Sequence, residues 1–264
     1  MLTIQEVINT LTKPVQKLDD TVDVLMPDAL SNQEVNGIVV TFMASHYVLQ
    51  RAKELGANLV ITHEGTFYSH HNHTEFLKDN PVFQKKCRLI EESGLAIYRF
   101  HDYWHRYQPD GIMTGLIQDL EWESYLMESK LNSAVFSIPP LTVRELGEYV
   151  KIKLDIPFVR VAGNLSMICS RVGVLVGYRG GGEAAIPLFM EENVDVILAG
   201  EGPEWETPEF FRDAVYQGRD KAIILLGHAA SEKPGMRYLA DLISGMFPHI
   251  PVYPIAEDQP FQII

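Results

Sequence analysis

The sequence has few cysteines and no long hydrophobic run, and both absences limit what the protein can be. Its two cysteines, Cys87 and Cys169, lie far apart in the chain and suggest no disulfide framework, which favours a reducing environment. The longest apolar runs, such as 222–226, are far too short to span a bilayer. Residues 1–17 lack the apolar block of a signal peptide and are typical of an amphipathic helix instead. We therefore expect a cytoplasmic protein with no membrane partner.

Clusters of basic residues are also absent. The chain contains 35 Asp and Glu residues against 22 Lys and Arg, which gives a net charge of −13. Because nucleic-acid backbones are bound through clustered Lys and Arg, we do not expect a nucleic acid as the main partner. The acid excess serves either solubility or the attraction of cations toward a site, and composition alone does not decide between the two.

The apolar pattern predicts an α/β protein. Short runs rich in Val and Ile alternate with longer helical patterns, as expected when helices cover both faces of a sheet. The predicted strands are 37–43, 58–62, 95–100, 133–138, 158–162, 171–176, 195–199, 222–226 and 252–255.

Several helices have readable start signals. Thr142 followed by Glu145 forms a capping box, which predicts a helix to about Leu154. Capping residues are also predicted for three further helices, at Ser45, Thr207 and Ser231.

Prolines at 139–140 and 157 are candidate seams between lobes. We expect a first α/β lobe over residues 1–125 and a second over 126–220. The remaining segment, 221–264, is expected to pack back on the first lobe.

Three histidines follow predicted strands at their C-terminal ends. His63 directly follows the second strand, His101 follows the third, and His228 follows the eighth with only Gly227 between. In open α/β sheets this edge is where ligands bind, because loops and helix N-termini meet there. If histidines were distributed along the chain at random, three of them would not be expected at the same edge of the sheet.

Each of these histidines has a second potential ligand nearby. Glu64 directly follows His63, and Gly65 can break the strand so that both side chains face one site. The segment 101–105 offers two imidazoles and a carboxylate, and Glu232 lies four residues after His228. If the stretch were fully helical, the two would share a face. We favour His228 in a loop, with Glu232 in the first turn of a helix that begins at Ser231.

Imidazole and carboxylate donors together suit zinc, iron or manganese. Each pair alone is more typical of a surface pair than of a metal site, but the shared position at strand ends favours a site. The loop histidines His70, His71 and His73, with Asn72 among them, are interpreted as exposed residues, although one of them could gate a site or bind substrate.

Two glycine-containing loops follow other strands. The segment 177–182 could cradle a phosphate, but it has neither a P-loop nor a dinucleotide-binding spacing, and we favour a tightly packed turn. In the acidic loop 200–206, Glu201 or Glu204 could support a ligand or act as a base, against the default of a solvated loop.

Four segments of the chain resemble the dinuclear-metal-centre hexameric family, also called the GTP cyclohydrolase I type 2 or Ngg-interacting-factor-three-like family. The similar segments extend along nearly the whole chain, and the most specific is Gly-His-Ala-Ala-Ser-Glu ahead of an apolar helix. They are residues 3–8, 56–63, 195–201 and 226–232.

The resemblance implies five metal ligands, with two departures from the family pattern. His63, His228 and Glu232 stand unchanged, whereas Glu64 takes the place of a histidine and His105 the place of an aspartate. The exchange leaves the numbers of imidazole and carboxylate ligands unchanged. Asp102 is the alternative to His105 as the ligand from its segment. The Asp-Asn-x-Gly-Leu segment usual in the family is replaced here by residues 23–27.

The resemblance further implies two related α/β lobes with two divalent ions per chain in the cleft between them, and a ring-shaped homohexamer. An extra domain found in some members does not fit in a chain of 264 residues. The implied activity is metal-dependent hydrolysis of a small molecule such as a purine nucleotide, with His101 or Glu201 as proton shuttle or supporting residue. Metal handling without turnover and a ring-shaped interaction scaffold are the alternatives.

Overall fold

The computed structural model describes residues 2–71 and 73–264, so Met1 of the predicted N-terminal helix and Asn72 of the histidine loop lie outside the described residues. The fold is α/β and forms two compact units. The first runs to Gly111 and includes Met236–Glu257, and the second consists of Ile112–Gly235 and Asp258–Ile264. Among the helices of the described residues, none is long and apolar enough to cross a membrane.

The first unit is built on a five-stranded sheet with the order β1-β4-β3-β2-β11. Its strands are β1 (Leu25–Met26), β2 (Ile38–Thr41), β3 (Leu59–Thr62), β4 (Ala96–Arg99) and β11 (Val252–Pro254). All neighbours pair in parallel except β1, which is antiparallel to β4. Strands β2, β3 and β4 are buried along their whole length, as their Val- and Ile-rich sequences predict.

The second unit is built on a six-stranded sheet with the order β5-β6-β8-β9-β10-β7. Its strands are β5 (Leu126–Ser129), β6 (Ala134–Thr142), β7 (Arg160–Gly163), β8 (Ile168–Leu175), β9 (Val196–Ala199) and β10 (Ala222–Leu225). The three strands β8, β9 and β10 run parallel, with Leu175 opposite Ala199 and Ala199 opposite Leu225. The chain therefore leaves all three strands at the same edge of the sheet.

The helices connect these strands and begin close to the positions that their caps predict. They are α1 (Ile4–Thr12), α2 (His46–Glu54), α3 (Pro81–Ser93), α4 (Asp102–His105), α5 (Gly111–Asp119), α6 (Val143–Leu154), α7 (Gly182–Glu192), α8 (Thr207–Tyr216) and α9 (His228–Met246). Short 3-10 helices lie at Asp28–Leu30, Glu75–Leu77 and Glu123–Tyr125. The capping box of Thr142 and Glu145 and the cap at Ser45 are both present.

Two predicted helix starts are wrong. Thr207 is the first residue of its helix rather than its cap, and its hydroxyl donates a hydrogen bond to the Gly180 carbonyl oxygen. Helix α9 begins at His228 rather than at Ser231, because the Ser231 N–H already donates to the Gly227 carbonyl oxygen one turn earlier. His228 is therefore part of the helix and not of the loop before it.

Candidate metal centre

Three histidines of the first unit form one cluster because two neighbouring parallel strands end side by side. Thr62 at the end of β3 lies opposite Arg99 at the end of β4, so His63 and His101 leave the sheet together. Their rings stack with centroids 4.5 Å apart. Helix α4 begins directly after His101 and places the ring of His105 5.0 Å from both. The candidate donor atoms of the three residues lie within 4.8 Å of one another.

In all three residues the Nδ1 atom faces an oxygen that can only accept. His63 Nδ1 lies 3.4 Å from the Phe100 carbonyl oxygen, His101 Nδ1 2.8 Å from Asp102 Oδ1, and His105 Nδ1 2.9 Å from Asp110 Oδ2. In the neutral imidazole these contacts put the proton on Nδ1 and the lone pair on Nε2. Metal-binding histidines almost always donate the N–H of their other ring nitrogen to such an oxygen, which fixes the tautomer and the ring orientation.

Asp102 hydrogen-bonds to His101 and to the backbone of a distant segment. Its Oδ1 accepts from His101 and its Oδ2 accepts from the Val22 N–H at 2.8 Å. Burial works against ionisation of Asp102, but these hydrogen bonds outweigh it and hold its pKa well below the usual range. Asp102, His101 and Asp23 also bring possible ligand atoms within 4.8 Å of one another, but the carboxylates there are committed to the protein's own donors.

Asp23 positions the segment that contains His101, a role that its place in the sequence does not predict. Its carboxylate accepts the backbone N–H groups of His101, Asp102 and Tyr103 at 2.8–3.1 Å, and so caps the N-terminus of α4. Burial raises the pKa of Asp23 despite these hydrogen bonds. An aspartate ahead of a strand gives no signal that it will cap a helix 78 residues later in the chain.

Glu64 belongs to a second donor group of the first unit, together with His70 and His101. Glu64 Oε1 lies 3.9 Å from His101 Nε2, and Glu64 Oε2 lies 3.2 Å from the guanidinium of Arg99. Arg99 is fully buried and also donates to the carbonyl oxygens of His63 and His70. The exposed histidine loop thus contributes one residue, His70, to the site.

The second unit has its own donor pair at the corresponding sheet edge. Glu201 lies two residues after β9 and His228 three residues after β10, and His228 Nδ1 lies 2.8 Å from Glu201 Oε1. Because α9 begins at His228, Glu232 is one helical turn away, and its Oε2 lies 3.1 Å from His228 Nε2. With Nδ1 donating to Glu201, the Nε2 lone pair and a carboxylate oxygen face each other, which requires a proton or a cation between them.

The turn after β8 is shaped around this pair. The Ser231 hydroxyl accepts from the Gly177 N–H at 2.9 Å and donates to the His228 carbonyl oxygen at 2.7 Å. Gly177 has a positive φ of 62°, and a Cβ there would overlap the buried carboxylate of Glu232. A glycine is therefore needed at this position for two independent reasons.

The glycine-rich segment 177–182 is a packed turn and not an open phosphate cradle. The Gly182 N–H at the start of α7 donates to the carboxylate of Glu206 at 2.7 Å, so the chain's own acid occupies the position an anion would take. A side chain at Gly180 or Gly202 would overlap the opposite backbone of the turn.

The donor chemistry of both units fits a divalent transition metal. The imidazole nitrogens have fixed tautomers and the carboxylates are partly or fully buried, which is the ligand set that zinc, iron and manganese accept.

Comparisons with known proteins agree with this description. The family model described as Duf34/NIF3 (NGG1p interacting factor 3) matches residues 4–260. A protein of Clostridium perfringens named GTP cyclohydrolase 1 type 2 homolog is 22% identical over 223 residues, covering 81% of this chain and 79% of that protein. A hypothetical protein of Staphylococcus aureus has a similar fold, with a TM-score of 0.75 at 17% identity, covering 100% of this chain and 99% of that one. A Bacillus cereus protein related to NIF3 gives a TM-score of 0.75 at 16% identity, covering 99% of each chain.

Proposed function

Because this chain belongs to the Duf34/NIF3 family, we propose that it binds divalent metal and uses it to hydrolyse a small molecule. One observation supports the metal more than any other. His63, His101, His105 and His228 each direct Nδ1 at a carbonyl or carboxylate oxygen, which prepares each Nε2 for a metal.

The proposed ligands are His63, Glu64, His105, His228 and Glu232, for two divalent ions per chain. The ring contacts of His101 support one change to the roles expected from sequence, because His101 lies within the same cluster as His63 and His105. We assign His101 as a third imidazole donor rather than as a proton shuttle. Glu201, which accepts the Nδ1–H of His228, is assigned to hold that imidazole in its metal-binding tautomer.

A divalent metal in such a site lowers the pKa of a bound water and makes it a nucleophile near neutral pH. The protein's own part is to hold the imidazoles in position through Asp102, Asp110 and Glu201, and to keep Glu232 buried against His228. The substrate class proposed is a nucleotide or a related ring compound, which the name of the Clostridium perfringens relative, GTP cyclohydrolase 1 type 2 homolog, supports.

Metal content tests this proposal directly. Elemental analysis of the purified protein should give two equivalents per chain, falling by at least one in His105→Ala and in His228→Ala. His249→Ala, which changes an exposed histidine, is the matched control and should keep the wild-type content. Wild-type content in both site variants would refute the site. Hydrolysis of a nucleotide panel that disappears in His228→Ala would support the activity.

A metal-handling role without turnover is the second candidate function. The exposed histidines His70, His71 and His73 support it. The ring of His71 lies 4.9 Å from that of His70 and 6.0 Å from that of His73, and His70 joins a donor group. Metal binding as above with no hydrolysis across the panel would favour this candidate.

A cytoplasmic homohexamer is the proposed state of the protein. Exposed large apolar side chains of the second unit, among them Met190, Trp205 and Tyr216, support burial against further copies. Light scattering should give about six times the chain mass of 29.9 kDa, and a monomeric mass would refute the assembly.

A further inference from the structure

The two donor groups of the first unit share one residue, His101. An inner group consists of His63, His101 and His105, and an outer group of Glu64, His70 and His101. Exposure increases from one group to the other: His63 is fully buried, His101 and Glu64 are partly exposed, and the side chain of His70 is 48% exposed. The outer group is thus the one that meets solvent.

We propose that Glu64 and His70 form an entry position where a divalent cation is first captured, and that His101 passes the ion to the inner group. The inference rests on the proposed function, because it takes the inner group to be a metal site. It adds a role for His70, a residue outside the proposed ligands.

The shared histidine has one lone pair available for this transfer. His101 Nδ1 is bound to Asp102, so Nε2 can hold only one ion at a time. The ring of His101 stacks on that of His63 with centroids 4.5 Å apart and makes an edge-type contact with that of His70 at 5.3 Å. The coordinate bond to His70 breaks as those to His63 and His105 form, while the bonds to Glu64 and His101 persist.

Arg99 explains why the outer position should bind transiently. Its guanidinium lies 3.2 Å from Glu64 Oε2 and 3.1 Å from His70 Nδ1, so an arriving ion competes with a fixed positive charge for the same two groups. The same guanidinium donates to the His70 carbonyl oxygen at 2.6 Å, which holds the loop in place. The outer group is therefore held in place before an ion arrives, but its affinity for the ion is low. A low affinity lets the ion move on to the inner group.

Stopped-flow uptake of Co²⁺ by the metal-free protein tests the proposal, with the visible absorption of the bound ion as the signal. In His70→Ala, uptake and release should both slow severalfold, because the ion then lacks the outer ligand through which it enters and leaves. The equilibrium dissociation constant should stay within about twofold, since a change of path alters both rates equally. His73→Ala, in the same exposed loop, is the control and should exchange Co²⁺ at the wild-type rate.

Unchanged rates in His70→Ala would overturn the proposal, as would an equal slowing in His73→Ala. Loss of bound Co²⁺ at equilibrium in His70→Ala would also overturn it, because His70 would then be a resident ligand. His105→Ala separates this proposal from the function beneath it. If His105→Ala loses Co²⁺ while His70→Ala exchanges normally, the metal site stands and only the entry role fails.

Discussion

Replacing Lys86 with methionine should change how the stability of this protein depends on pH. Lys86 lies on α3 and is fully buried. Its ammonium group donates to the Thr66 carbonyl oxygen at 2.5 Å and lies 5.0 Å from the centre of the Tyr68 ring. Thr66 follows closely on Glu64, so this lysine anchors the segment that contains a proposed ligand.

The magnitude follows from the pKa of this lysine. Burial lowers the pKa of Lys86 from 10.5 to about 8, despite the opposing effects of Glu257 and Cys87. A shift of this size corresponds to a penalty of about 3 kcal/mol at about 1.4 kcal/mol per pKa unit. The penalty is present in full below pH 8, where Lys86 is charged in both states. Between pH 8 and 10.5 only the unfolded state holds the proton, so wild-type stability should rise with pH.

The methionine variant lacks this contribution. Relative to wild type, the free energy of unfolding of Lys86→Met should therefore fall by about 3 kcal/mol between pH 7 and pH 10.5. At pH 7 the variant also loses a hydrogen bond to the Thr66 carbonyl oxygen, which offsets its advantage by about 1–3 kcal/mol. The pH dependence of the free energy of unfolding therefore tests the buried charge more directly than the difference between the two proteins at any single pH.

Urea unfolding of the metal-free proteins at four pH values from 7 to 10.5 measures this change. Lys85→Met, which changes the exposed lysine next in sequence, is the matched control and should follow the wild-type pH dependence. The difference in free energy of unfolding between wild type and Lys86→Met could instead vary by less than about 1 kcal/mol from pH 7 to pH 10.5. That result would refute a buried charge at this position.

Three further predictions concern the metal. Glu201→Ala should weaken metal binding in the second unit by about 10–100-fold, measured by competition with a chelator dye, whereas Glu204→Ala, on the same acidic loop, should not. Gly177→Ala should displace the carboxylate of Glu232 and lower both the melting temperature and the metal content; unchanged values would show that the turn can relax. Metal removal with EDTA should lower the melting temperature, because a ligand bound only to the folded state stabilises it, and the shift should be smaller in Asp110→Ala.

Much of the fold could be predicted from local patterns. Each of the nine predicted strands corresponds to an observed one. The fully buried strands among them have Val- and Ile-rich runs that can be recognised without knowledge of their partners. The strands that were not predicted, β1 and β5, lie at sheet edges, where β1 has two residues and β5 is exposed throughout. Neither has a pattern that distinguishes it from a loop.

The candidate site could be predicted in part. The position of His63 and His101 after neighbouring strands follows from the α/β pattern, since parallel strands end at one edge. The helical start of α9 was missed because a serine ahead of an apolar helix is a strong capping signal, whereas the Ser231 hydroxyl here bonds to the Gly177 N–H and the His228 carbonyl oxygen instead.

By itself the sequence determined the α/β class, the sheet edge where the histidines lie and the chemical types of the donors. Only the tertiary structure decided which distant groups form hydrogen bonds to these residues. Asp23 and Arg99 reach His101 and His70 from positions 78 and 29 residues away in the chain, and Asp110 reaches His105 from the loop beyond α4. Strand composition reports burial, which is a local property, but a hydrogen bond between distant residues depends on strand order and register.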